Sequence, residues 1–244
     1  MVCSVCGSLD TVRSHILPKA LVHDSKEGAQ HIMVANRGRA GFRLRQGGEF
    51  DDDILCELHE RITGDLDRYG VDFVRRVNSL GGKADNIKAF DVPNPSPENL
   101  KRFVLSVVWR EVFAKNGLRR GLNLGIKTHQ IRDLIFDSTT ADFPLFVTYE
   151  RFTAGSNERV PVGIHPFRIR FMDRIFWQFT VAGCAFFVGT DQRKTIPRFD
   201  WLRADINDPA RAIIGDQRDI ATVGILKPLL RDMTTRRKGR AEQA

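Results

Sequence analysis

Cys3-Ser4-Val5-Cys6-Gly7 opens the chain, and Cys56-Glu57-Leu58-His59-Glu60 comes much later; each holds two metal-ligating side chains with two residues between them. That spacing lets a tight turn, or the first turn of a helix, aim both donors at one ion. Gly7 supplies the positive φ that a knuckle needs just after its second cysteine. Cys3, Cys6, Cys56 and His59 are therefore expected to hold one structural Zn²⁺. The ion would act as the core of a segment otherwise too polar to fold alone. The alternative is that Cys3 and Cys6 are incidental and Cys56 is a buried helix residue. A disulfide is disfavoured, because no charged-then-apolar leader precedes Cys3 and a cytoplasmic chain keeps its thiols reduced.

Between the two pairs lie Ser14-His15-Ile16-Leu17-Pro18-Lys19 and a Gly- and Arg-rich stretch, Asn36 to Arg45. The order CxxCG, SHILPK, basic stretch, LCxxHE resembles the HNH (ββα-metal, treble-clef) nuclease family. More narrowly it is similar to bacterial proteins in which SHIIPK and LLCxxCE signatures precede a helix carrying SxxWR, here Ser106-Val107-Val108-Trp109-Arg110. The resemblance covers about the first quarter of the chain. It implies a β-hairpin bearing His15 as general base, a catalytic helix starting at the second ligand pair, and a catalytic Mg²⁺ or Mn²⁺ beside Glu60. Ser14 stands where the family carries Asp or His, and Glu60 where it carries His or Asn. Asn36 is the nearest counterpart of the family's middle Asn.

The wider composition agrees with an anionic partner. There are 38 Lys and Arg against 30 Asp and Glu, a net charge of +8 and a pI of about 9.6. Nucleic acid, DNA ahead of RNA, is the expected ligand. Arg37, Arg39, Arg43 and Arg45, with Lys19, are the expected phosphate contacts, since guanidinium grips phosphate through a rigid fork. The same charges could instead form a solvated face. No apolar run approaches the roughly 20 residues that span a bilayer, so a cytoplasmic protein without a membrane partner is expected.

Apolar periodicity predicts a helix from about Cys56 through Val77, with a break at Gly64 or Gly70, and an acidic run, Asp51 to Asp53, that caps it or binds a metal. Three prolines between Val92 and Pro97 mark a boundary. Ser96 caps a core helix from Pro97, with Leu100, Phe103, Val104, Val107, Val108 and Val112 on one face and Trp109 at its edge. A second helix starts at Thr128. Closely spaced strands at 145–149, 167–171, 175–179 and 184–188 predict an antiparallel meander covered by those helices. The chain thus reads as α+β: residues 1–68 a zinc-bound HNH-like treble-clef module, 69–95 a connecting helix and Pro-rich linker, and 96–244 an α+β body with a last helix at 220–233 and a basic tail. Two functions are expected from it. One is a metal-dependent nuclease using His15 and Glu60; the other is a non-catalytic nucleic-acid-binding or protein-interaction module that uses zinc for stability.

Overall fold

The computed structural model describes residues 2–26, 28–35, 42–82, 88–150, 153–154, 158–159, 161–171, 173–191 and 197–215. Arg37, Arg39 and Asn36, the expected helix at 220–233 and the basic tail lie outside the described residues. The elements run β1 (Thr11–His15), α1 (Lys19–Asp24), β2 (Ile32–Ala35), β3 (Phe42–Arg45), β4 (Phe50–Cys56), α2 (Glu57–Gly81), β5 (Ala89–Val92), α3 (Pro97–Phe113), α4 (Lys115–Arg119), α5 (Thr128–Phe136), β6 (Leu145–Glu150), β7 (Thr153–Ala154), β8 (Glu158–Arg159), β9 (Val162–Phe171), β10 (Arg174–Val181), β11 (Cys184–Gly189) and β12 (Ala210–Gly215). This is an α+β chain. Among the described residues no helix is long and apolar enough to cross a membrane.

The four strands expected from turn spacing form the centre of an eight-stranded sheet, in the order β3-β2-β9-β10-β11-β6-β12-β5. β9, β10, β11 and β6 pair antiparallel, as a meander should. The sheet then extends beyond the expected meander through two parallel pairs, β2 with β9 and β12 with β6. Parallel neighbours are joined by long crossovers and leave no turn signal, so sequence spacing is silent about them. The β2–β3 hairpin, which belongs to the N-terminal quarter, is thereby stitched into the sheet with Met33 opposite Val162. On the other edge, β5 pairs with β12.

One face of the sheet carries the main core. Val147, Tyr149, Trp177, Phe179, Phe186 and Val188 meet Phe73, Val74 and Val77 of α2 and Phe103, Val104 and Val107 of α3 there. Ser96 caps α3 by accepting from the Asn99 amide at 3.4 Å, with Pro97 in the first turn. α3 is buried well beyond its apolar stripe: Lys101, Ser106, Arg110 and Glu111 are buried too. It is therefore the central helix, and each charge on it needs a partner.

α2 runs unbroken through Gly64 and Gly70. Gly70 is a contact glycine: a Cβ there would lie 2.5 Å from the Phe103 ring, so its bareness lets α2 approach α3. The acidic run does not cap α2, which starts later, with Cys56 at its N-cap. Asp51, Asp52 and Asp53 lie in β4, where local pairing outcompetes capping. Asp51 accepts the Lys115 amide at 2.8 Å, Asp52 meets Arg13 at 3.2 Å, and Asp53 pairs with Lys115. The run thus fastens β4 to β1 and to the start of α4.

Candidate metal centre and its neighbours

Cys3 and Cys6 are brought together by a tight knuckle in which the Gly7 amide donates to the Cys3 carbonyl at 2.9 Å. Gly7 itself has φ +76°, the conformation its lack of a Cβ permits. Cys56 ends β4, and His59 lies in the first turn of α2. Pairing of Thr11 with Cys56 in β1–β4 carries the two halves to the same place. The four donor atoms all lie within 4.8 Å of one another.

Tetrahedral geometry can be tested on those distances. Zn–S bonds of about 2.3 Å put two sulfurs about 3.8 Å apart, and a Zn–N bond of about 2.1 Å puts nitrogen about 3.6 Å from sulfur. Cys6 Sγ to Cys56 Sγ is 3.8 Å and Cys3 Sγ to His59 Nδ1 is 3.6 Å; Cys56 Sγ to His59 Nδ1 is shorter, at 3.1 Å. The group can hold a metal ion, and its donors and spacing are compatible with structural zinc. Burial opposes ionisation of the Cys3 thiol, but the amides of Cys6, Val5 and Cys56 outweigh it and hold the thiol below its ordinary range. Such amides favour the thiolate that a metal requires. Burial holds the His59 imidazole down, toward the neutral ligating form. Its ring is seated edge-on against Phe136, centroids 5.1 Å apart.

Directly beside this group are the residues expected to do chemistry. Ser14, fully buried, turns inward from β1 and donates its hydroxyl to Glu60 Oε2 at 2.6 Å. Positions 14 and 60, 46 residues apart in the chain, are thus adjacent. Burial raises the Glu60 pKa, against the Ser14 hydrogen bond and the Arg110 charge. Thr63 Oγ1 approaches the same oxygen at 3.5 Å.

His15, next along the strand, faces the other way, as alternation requires. It pairs with Phe50 in β4, with ring centroids 6.0 Å apart. Burial pulls its pKa below the ordinary histidine value, and the charges of Lys19, Arg110 and Arg13 add to that, opposed by Asp67. His15 is accordingly neutral near pH 7, the form that can accept a proton.

Asp67 and Arg110 are the functional candidates that sequence reading missed. The Arg110 guanidinium, 1% exposed, grips Asp67 at 2.8 and 2.6 Å through both prongs. Its field reaches both Glu60 and His15. The signals that could have flagged them were the i, i+7 spacing of Glu60 and Asp67, two turns along one helix face, and the place of Arg110 at the end of the SxxWR signature. Trp109, read as an edge residue, is buried, and its indole N–H donates to Ser4 Oγ at 2.9 Å, tying α3 to the cysteine knuckle.

The basic contacts divide. Lys19, at the start of α1, is exposed; Arg43 is exposed on the edge strand β3; Arg45 leans on Glu49 at 3.6 Å. Leu44 is 59% exposed, so β3 does not bury an apolar face at that position. Among the described residues, the cysteine–histidine group is the one cluster of three or more His, Cys, Asp or Glu side chains able to hold a metal. The chain matches no protein-family model, no curated protein and no solved structure.

Proposed function

We propose that the knuckle, the β1–β4 pair and the start of α2 form a ββα-metal, treble-clef unit of HNH type, and that the protein hydrolyses phosphodiester bonds in nucleic acid. The observation that supports this most is the Ser14–Glu60 contact at 2.6 Å, immediately after the last ligand of the metal centre and immediately before a histidine held neutral. Four protein donors fill a zinc ion's tetrahedron and leave no position for water or phosphate, so that ion is structural. A second, hard cation would take the Glu60 carboxylate and the Ser14 hydroxyl, the remainder of its shell coming from water and the substrate phosphate. That sparse oxygen set is typical of Mg²⁺. When bound, the cation would neutralise charge developing on the phosphate.

The remaining roles fall to the chain's own residues. His15 accepts the proton of the attacking water, whose oxygen bonds to phosphorus as the bond to the leaving oxygen breaks. Asp67 holds Arg110 in place, and Arg110 biases both His15 and Glu60 electrostatically without leaving its buried site. Exposed Lys19 and Arg13 supply positive charge beside His15, and Arg43 carries charge on the β3 edge.

One observation favours a second reading, a nucleic-acid-binding unit without catalysis. Strand alternation sends Ser14 toward Glu60 and His15 toward Phe50, so the base and the carboxylate share neighbours and not a hydrogen bond. The deciding assay incubates plasmid, single-stranded DNA and RNA with Mg²⁺ or Mn²⁺, using wild type and His15→Ala. The nuclease reading expects a loss of about 10²–10⁴ in rate for the variant, with the metal centre and binding intact. Equal cleavage by both proteins excludes His15 as the base. Absence of cleavage of all three substrates leaves the binding unit.

A further inference from the structure

The outer face of the β1–β4 pair carries an arrangement that neither the metal centre nor the hydrolytic residues account for. Phe50 begins β4 and remains 49% exposed although it sits directly opposite His15. The Arg13 guanidinium lies 4.1 Å from the centre of its ring and is itself anchored to Asp52 at 3.2 Å. The strand pair is extended beyond His15 by the Ile16 amide, which donates to the Glu49 carbonyl at 3.0 Å, so the backbone under Phe50 is fixed on both sides. Arg13, Phe50 and His15 thus form a short row of flat groups on a rigid hairpin, with exposed Lys19 at its end. One half-exposed phenylalanine is ordinary on a protein surface, but Phe50 differs from a lone ring in having a guanidinium against it on a backbone fixed on both sides. It is well explained as a surface for stacking.

We infer that Phe50 and Arg13 are a base-stacking platform, and that the site takes unpaired nucleotides: a single strand, or a base splayed from a duplex. This rests on the nucleic-acid reading above and specifies its substrate. Bases within a duplex are already stacked on both faces and offer a protein only their edges and their phosphates. An unpaired base offers a whole face, which aromatic rings and guanidinium planes accept whatever its identity. The backbone of a strand stacked there would run over a surface that carries exposed Lys19 and Arg13, whose charges favour phosphate. Single strands are therefore favoured over duplex with little sequence preference.

The test measures binding of the full, metal-loaded chain to a short fluorescent single strand and to the matching duplex, without Mg²⁺ or Mn²⁺, so that nothing is cut. Phe50→Ala is expected to weaken single-strand binding by about 5- to 150-fold and to leave duplex binding unchanged. Phe50→Tyr, which keeps the ring, should bind as wild type does. Phe171→Ala removes another half-exposed ring, 53% exposed, outside this hairpin and should change neither. Phe50→Leu keeps apolar cover for the strand without a ring, so a loss matching that of Phe50→Ala separates stacking from misfolding. Wild-type protein that binds single strand and duplex equally, with Phe50→Ala no weaker, overturns this inference alone. Failure to bind either form overturns the nucleic-acid reading together with it.

Discussion

Replacing Cys56 by serine removes one corner of the metal centre while changing the side chain by a single atom. Cys56 is the junction of β4 and α2, with its sulfur 3.8 Å from that of Cys6 and 3.1 Å from His59 Nδ1. A metal held there would bridge Cys6 and Cys56, 50 positions apart, and so close a loop of that length in the unfolded chain. The chain-entropy expression for a cross-link of about 50 residues gives about 4 kcal/mol at room temperature. For a domain of this size each kcal/mol moves the thermal midpoint by about 2–4 °C, so Cys56→Ser should melt about 8–16 °C lower. The assay pairs thermal melting with elemental analysis of protein purified without added metal. Wild type should carry one zinc per chain and Cys56→Ser much less. Cys184→Ala is the control: that thiol is fully buried in β11, away from the centre, so its loss should lower stability yet leave zinc content intact. Wild type with less than about half an equivalent of zinc, or Cys56→Ser melting with wild type, would refute the assignment.

Three further outcomes are expected. Asp67→Asn leaves Arg110 buried without its countercharge and should cost about 3–5 kcal/mol, read by chemical denaturation; a loss below about 1 kcal/mol would show the guanidinium finding other partners. Glu150, 3% exposed, has its pKa pushed up from 4.5 to about 7 by burial, against a hydrogen bond from Thr148. Because the folded value is the higher, its stabilising contribution is present below about pH 4.5 and lost as pH rises through about 7. Glu150→Gln should therefore match wild type near pH 4.5 and exceed it by about 3 kcal/mol near pH 8.5, and a pH-independent difference would contradict that. Charge reversal at Arg43 and Arg45 together should weaken nucleic-acid binding and flatten its salt dependence; unchanged affinity would make the β3 edge a solvated face.

The metal centre was legible because two ligand pairs of equal spacing are a local pattern, readable without knowing what joins them. The core face of α3 was legible for the same reason, as were its Ser96 cap and the four central strands. What could not be read was every feature made by residues far apart and individually ordinary. Asp67 and Arg110 are single charges on two different helices. The parallel register of Met33 against Val162 joins strands separated by more than half the chain. Gly70 looked like a helix breaker because glycine lowers helix propensity, whereas packing against Phe103 requires the absence of a side chain there. Asp51 to Asp53 looked like caps because acidic residues before a helix usually are, yet a lysine and an arginine from other elements claimed them first.

Three consecutive residues of α3 show how the pieces are made into one device. Successive helical side chains point about 100° apart, so neighbours in sequence reach different parts of the molecule. Trp109 reaches Ser4 in the cysteine knuckle at 2.9 Å, Arg110 reaches Asp67 on α2, and Glu111 accepts a hydrogen bond at 2.7 Å from buried His165 on β9. The His165 ring also faces Glu49, at 4.0 Å, the residue just before Phe50. The histidine is drawn toward its charged form: burial opposes this, but the Glu111 carboxylate and then that of Glu49 overcome it. One helix turn therefore fixes the knuckle, the helix bearing Glu60, and the strand ends that present His15 and Phe50. A metal centre alone would order the first and last parts of residues 3–60 and leave the hairpin's aim to chance. Buried charges, costly to desolvate, are tolerated here because each holds one of those parts at a defined distance from the others.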